Sequence, residues 1–298
     1  MMLVFSANKA IAEIWTTLDA PSQANTILLG VSGDNLVGTY GFGSQPHSFL
    51  YDGTNWNILN MPGAMTTIVE GMSGNLIFGR YNVGIHTHGF SYDGSIWTTS
   101  DVPGAAATDA IAGSGNTVFG SYYDSTPNHL LHGFSYDGSI WTTLDAPDAK
   151  CTQIVDTSGS KIVGLYGLGN VVGSNFVYDG SNWITTLNMP DAKNTIITGV
   201  SDNNFVGEYS DINGKWHGFL YDGSIWTTLD APGANGTYAM AISGNIIVGG
   251  YYDSSGKQHG FICEVPEPSA LMLLIIAAIN GTLFVHRKHQ KNKDPSSA

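Results

Sequence analysis

The chain has 298 residues, enough to bury a sizeable core in one or two domains. Only 12% of the residues are charged, glycine is abundant at 38, and the net charge is −13. The stretch after Val285 carries four basic residues and one acid, so the rest holds 7 basic against 23 acidic residues, a net of −16, which excludes a nucleic-acid surface built on Lys and Arg. Two cysteines, Cys151 and Cys263, are too few for a disulfide framework, although a bridge between them across different repeats stays open.

Residues 1–14 are apolar and then small. They read either as the end of a truncated secretory signal or as an irregular start to the first strand. From there the chain repeats itself. Trp15, Trp56, Trp97, Trp141, Trp183 and Trp226 each open a short run that closes on a proline, and they are spaced 41, 41, 44, 42 and 43 residues apart. A period of this length marks a repeat architecture.

Each repeat divides into four strand-like segments. In the first, Asn25–Val31 is followed by a turn, then Leu36–Tyr40, a loop to Pro46, His47–Tyr51, a tight Asp52-Gly53 turn, and Trp56–Leu59. Asp-Gly between β-rich runs is a strong hairpin signal, because both residues tolerate positive φ, and it recurs at Asp93, Asp137, Asp179 and Asp222. No apolar pattern of period 3.6 survives the Gly and Thr content. The last repeat stops after Glu264 without a fourth segment, whereas the Trp15–Leu18 segment precedes any complete repeat. The first segment is therefore expected to supply the missing outer strand of the last repeat and close a ring. The predicted fold is all-β, a six-bladed β-propeller of four-stranded blades over residues 15–264. A β-solenoid is the weaker alternative, because it needs no two-residue hairpin in every coil.

After Glu264 the composition changes. Val265, Pro266, Glu267, Pro268 and Ser269 lead into an apolar run over 270–285, which predicts one transmembrane helix, and a basic end over 286–298 begins with His286, Arg287 and Lys288. Basic residues directly after the run place that end in the cytoplasm and the repeats across the membrane.

Two resemblances follow from these residues. The units His88-Gly-Phe-Ser-Tyr-Asp-Gly94, Asp101-Val-Pro-Gly-Ala105 and Ile242–Tyr251 resemble the extracellular HAF-type repeat family, which implies a secreted propeller-like domain over residues 15 to about 263 and no defined activity. The three-part tail, with Val265-Pro-Glu-Pro268 before an apolar run and a basic end, resembles the PEP-CTERM sorting signal, a tail type also named after an ice-binding-protein C-terminal domain. That resemblance implies a Gram-negative bacterial protein held in the inner membrane as a precursor. It also implies processing by an exosortase-type enzyme, then display at the cell surface or in an exopolysaccharide matrix or biofilm. Ice binding is disfavoured, because the body lacks a flat Thr array on a short regular repeat.

The recurrent residues are read first as packing. Tyr40, Tyr81, Tyr122, Tyr166, Tyr209 and Tyr251 end their second segments, and aromatics repeated once per unit pack unit against unit. His47, His88, His132, His217 and His259 share one register, with Ser174 in the fourth repeat. One per repeat spaces them too widely to share one ion, so they read as structural hydrogen-bonding groups, and His86 and His88 remain a chance pair. Asp124, Asp211 and Asp253 read as turn residues rather than a calcium loop. Gly167–Gly173 imitates a dinucleotide loop but lacks the helix that would follow it. No nucleophile elbow, zinc-protease motif, cofactor site or metal site is read from the chain. The off-pattern residues Arg80, Tyr123, Glu208 and Trp216 are the candidate ligand surface. The expected role is a non-enzymatic matrix module that binds exopolysaccharide. A polysaccharide-cleaving propeller enzyme, which would need off-pattern carboxylates gathered at the channel mouth, is the alternative.

Overall fold

The computed structural model describes residues 13–21, 25–41, 46–169 and 172–265. Trp15–Cys263 form one compact unit. The expected signal remnant over 1–12, the motif residues Pro266, Glu267 and Pro268, the span over 270–285 and the flanking Arg287 and Lys288 lie outside the described residues. Among the described residues there are 24 strands and no helix.

Six strands take the inner position: β2 (Thr26–Ser32), β6 (Thr66–Ser73), β10 (Ala107–Ser114), β14 (Cys151–Ser158), β18 (Asn194–Ser201) and β22 (Gly236–Ser243). The second strands are β3 (Asn35–Tyr40), β7 (Leu76–Val83), β11 (Thr117–Tyr123), β15 (Lys161–Gly167), β19 (Asn204–Ser210) and β23 (Ile246–Tyr252). The third strands are β4 (His47–Tyr51), β8 (His86–Tyr92), β12 (Leu131–Tyr136), β16 (Ser174–Tyr178), β20 (Trp216–Tyr221) and β24 (Gln258–Glu264). The outer strands are β5 (Trp56–Leu59), β9 (Trp97–Thr99), β13 (Trp141–Thr143), β17 (Trp183–Ile184), β21 (Trp226–Leu229) and, from the start of the chain, β1 (Ile14–Leu18).

The sheets make a β-propeller of four-stranded modules, and β1 pairs with β24 as the outer strand of the last one. The expected ring of six separate blades is not what the pairing gives. Four sheets are separate: β2–β5, β14–β17, β18–β21, and β22–β24 with β1. The other eight strands, β6–β13, form one sheet, because β10 meets β8 in a parallel bridge at Ala107 and Thr87.

The repeated residues explain the modules. The Asp-Gly hairpins place Gly53, Gly94, Gly138, Gly180 and Gly223 at positive φ, where an L side chain is strained. The aspartate before each accepts local backbone N–H groups, as Asp93 does from Ser95 at 2.8 Å and Ile96 at 2.7 Å. Those bonds hold the Asp93 carboxyl below the usual carboxylate range. Phe49, Phe90, Phe134, Phe176, Phe219 and Phe261 are fully buried, and each meets its repeat's tryptophan with centroids 4.7–5.2 Å apart. The glycine facing each ring is required. A Cβ at Gly79 would lie 2.1 Å from the Ile68 carbonyl oxygen and 2.8 Å from the Phe90 ring.

A threonine at the start of each inner strand ties one repeat to the next. The Oγ1 atoms of Thr26, Thr67, Thr108, Thr152, Thr195 and Thr237 accept from the N–H groups of Ala20, Met61, Val102, Ala146, Met189 and Ala231 at 2.9–3.1 Å. Those donors precede the six repeat-ending prolines. Every inner strand also carries a register shift at the same place, around Leu29, Glu70, Ile111, Val155, Thr198 and Met240. Such bulges bend a strand and re-aim the extra side chain.

Candidate functional site

Four of the five register-matched histidines are consumed in a pin repeated around the ring, while His47 lies against Tyr40 with ring centroids 5.2 Å apart. His88 Nδ1 lies 2.7 Å from Asp101, His132 Nδ1 2.7 Å from Asp145, His217 Nδ1 2.9 Å from Asp230, and His259 Nδ1 2.8 Å from Asp19. Each pin joins a third strand to the end of its own outer strand, and the last one does so across the ring closure. Tyr81, Tyr122, Tyr209 and Tyr251 stack on these imidazoles with centroids 5.1–5.2 Å apart. Their hydroxyls bond to Thr99, Thr143, Thr228 and Thr17 of the outer strands. Asp124, Asp211 and Asp253 cap their own loops by accepting backbone N–H groups, as the turn reading expects. They also approach the other ring nitrogen of His132, His217 and His259 at 3.7, 3.8 and 3.3 Å. These hydrogen bonds hold all three carboxyls low, and Asp253 the most. His86 and His88 have ring centroids 6.4 Å apart. Cys151 and Cys263 are buried thiols on β14 and β24. Gly167 ends β15, and the Gly173 N–H donates to the Tyr166 carbonyl.

Repeat one has Asn60 in place of the pin's aspartate, and repeat four departs at both positions. Ser174 replaces the histidine and Asn188 replaces its aspartate. One extra residue separates Trp183 from Pro190, and β17 is the shortest outer strand, at two residues. Asn175 stands where the four pinned repeats have glycine and repeat one has Ser48. Its amide donates to the Thr195 carbonyl at 2.7 Å and accepts from the Ile197 N–H at 2.9 Å. Beside this defect lies a cavity of about 510 Å³, lined by Ser174, Thr185, Asn188, Lys193, Asn194 and Trp216 among others. Trp216 has its ring 6.3 Å from that of Tyr238.

A second cavity, about 340 Å³, runs along the inner strands and takes lining residues from all six. The bulge residues line it. Four are apolar and one is Thr198, and Glu70 is the exception. Glu70 forms an ion pair with Arg80 of β7 at 2.5 Å, and Arg80 also lies 3.4 Å from Asp109 of β10. Enclosure by protein outweighs Arg80 and pushes the Glu70 carboxyl up to about 7, while the side chain keeps 26% of its surface open to the channel. Asp109 is raised by the same desolvation. Asp156 is the second channel acid. It occupies a position that is Gly or Ala in the other repeats, where the inner ring is tight. Its carboxylate accepts from the Val200 N–H of the next repeat at 2.8 Å and from the Thr157 N–H at 2.7 Å, yet burial raises it to about 7.

The four candidate surface residues do not form one patch. Arg80 is engaged by Glu70 and Asp109, and Tyr123 ends β11 with 42% of its surface exposed. Glu208 and Trp216 share a neighbourhood, since each acts on Tyr238. Desolvation raises Glu208 to about 7, and the Tyr238 hydroxyl is raised by burial and then by Glu208. Arg80 and Glu208 hold the same register position on their second strands, opposite Ile68 and Ile196. Glu70, Asp109 and Asp156 were missed by sequence reasoning. For Glu70 and Asp156 the available signal was an acid at an inner-strand position that is otherwise apolar or small, whereas the position of Asp109 also holds Gln153 and Tyr238.

No family model matches the chain, and no curated protein does. Among solved structures, the chain is similar to the β-propeller domain of the trilobed protease from Pyrococcus furiosus, with a TM-score of 0.52, 11% identity and coverage of 80% of this chain and 81% of that one. That domain is described as having an open velcro topology, whereas here β1 closes onto β24. The chain is similar also to an acylaminoacyl peptidase from Pyrococcus horikoshii, with a TM-score of 0.52 and 10% identity over 80% of this chain. It spans only 43% of the peptidase. At such identities the likeness defines a class, the β-propeller, by fold alone.

Proposed function

We propose that the chain is a non-enzymatic module of a bacterial extracellular matrix that binds exopolysaccharide. Trp216 carries this reading. It is an off-pattern tryptophan outside the Phe–Trp packing of the repeats, and it lines a cavity that mixes polar and apolar side chains. Aromatic faces beside amide and hydroxyl groups suit sugar rings, which present apolar faces and polar edges. We propose also that the eight-stranded sheet works as two blades joined at their edge, which gives a six-bladed ring in keeping with the six repeats. The tail over 265–298 supplies the route: exosortase-type processing at Val265-Pro-Glu-Pro268 after insertion of the apolar run.

The test is co-sedimentation of the chain with the host's exopolysaccharide, with reducing ends assayed in the supernatant. Retention without new reducing ends is expected, and Trp216→Ala is expected to weaken it. Absence of retention overturns the reading. The second reading, a polysaccharide-cleaving enzyme, is favoured by Glu70 and Asp156, two carboxyls near 7 in one channel, and new reducing ends would establish it. For the tail, replacing Pro266, Glu267 and Pro268 by alanine is expected to leave an unprocessed, membrane-held form. Normal trimming and release of that variant would remove the sorting reading.

A further inference from the structure

We infer that the cavity at repeat four is a subsite for an anionic sugar unit of the polysaccharide, with a uronate as its simplest occupant. The inference rests on the binding role proposed above and assigns that role a place and a ligand class. Four repeats fill this register with a His–Asp pin, repeat one keeps His47 but has Asn60 opposite it, and repeat four replaces both partners, with Ser174 and Asn188. Both replacements are shorter or neutral, and the extra residue after Trp183 draws the outer strand short. The result is a vacated pin site of about 510 Å³, within the range of small-molecule sites. A repeat that merely drifted would be expected to fill this space with apolar side chains, because voids cost stability. Here Ser174, Thr185, Asn188 and Asn194 keep part of the wall polar, beside Leu165, Val172, Ala192 and Ile196. Asn175 Nδ2 lies 3.4 Å from Asn188 Oδ1, which turns the other end of the Asn188 amide, a donor, towards other partners. Asn194 is held by its own bond to Ser210 at 3.0 Å.

Charge selects the ligand class. Among the described residues Lys193 is the sole charged one lining the cavity, and no Asp or Glu joins it, in a body where acids outnumber bases by 16. An acidic surface elsewhere repels a polyanion, so a lone cation in an acid-free recess sets where such a chain can engage. Trp216 supplies the ring face, Ser174, Thr185, Asn188 and Asn194 the groups for hydroxyls, and Lys193 the counter-charge for the carboxylate.

The experiment titrates the full chain with an oligogalacturonate, a sulfated oligosaccharide and a neutral oligoglucoside of equal length, by calorimetry. The key variant is the double substitution Ser174→His with Asn188→Asp. It writes the protein's own pin into repeat four and fills the recess while leaving Trp216 and Lys193 in place. The oligouronate is expected to bind at least tenfold more tightly than the neutral sugar. Lys193→Gln should raise the Kd for the oligouronate about tenfold and erase that preference. The double variant should lose binding with its Tm unchanged or raised. Wild-type affinity in a folded double variant overturns the site. Equal affinity for neutral and acidic sugars overturns the anionic class while leaving the polysaccharide role standing, and preference for the sulfated probe replaces carboxylate by sulfate. Failure of every sugar here together with failure to co-sediment removes the binding role itself.

Discussion

Glu208→Gln tests the electrostatics of the ring most cleanly, because desolvation alone raises this carboxyl, from 4.5 to about 7. Between those values the folded protein holds a proton that the unfolded chain has released. Stability from this group is therefore fully present below about pH 4.5 and lost as pH rises through 7. At 1.36 kcal/mol per pKa unit, the ceiling on that loss is about 3 kcal/mol. Glu208 is half-buried, so water reduces this, and about 1–2 kcal/mol is the working expectation. Glutamine keeps the shape and cannot ionise. Urea unfolding of wild type and variant at pH 4.5 and pH 8.5 should give equal midpoints at the lower pH. At the higher pH the variant should be more stable by about 1–2 kcal/mol, with m unchanged. Glu70 and Asp156 titrate in the same window, but they do so in both proteins and cancel in the difference. Parallel pH profiles for the two proteins would refute the reasoning.

Arg80→Met leaves Glu70 and Asp109 without their cation. The cost should be about 1–2 kcal/mol at pH 8 and smaller at pH 5, where Glu70 is already protonated, as read by urea unfolding at both values. Thr152→Val keeps the shape and strands the buried Ala146 N–H, so thermal or urea unfolding should report a loss of about 1–2 kcal/mol. Trp15→Ala removes the ring that lies 4.9 Å from Phe261 at the ring closure, and should cost about 3 kcal/mol in urea unfolding. A loss near zero would mean that β1 is dispensable to the closure.

The sequence made the modules legible because their signals are local. Asp-Gly turns fix the hairpins, one Trp and one Phe per repeat fix the core, and β4 and β5 fall at the residues expected for them. The clasp was legible by counting, since Trp15–Leu18 had no repeat of its own and the last repeat lacked a strand. Other features depend on pairing, which composition does not encode. The bulges fall on Leu29, Glu70, Ile111, Val155, Thr198 and Met240, a set that spans apolar, hydroxyl and carboxylate side chains. Arg80 meets Asp109 from 29 residues away, so an apparent surface residue proves to be an ion-pair partner. The joining of β8 to β10 rests on a single parallel bridge that no turn signal announces. Ser174 was visible as the odd residue in the histidine register, but the recess it leaves follows only from the pins seen in the other repeats.

The clasp has a consequence for when the fold can exist. Thr17 and Tyr251, whose hydroxyls meet at 3.0 Å, are separated by 234 positions, and the first partner is made long before the second. At ordinary rates of synthesis the opening strand waits on the order of tens of seconds before β24 emerges. Until then Trp15 has no Phe261 to cover it, and the last module has no outer strand. The ring is therefore closed only once β24 has been made. Whatever withholds the last repeat, whether a ribosome, a chaperone or a translocation channel, withholds the closed molecule and keeps the chain in a form that can still be threaded.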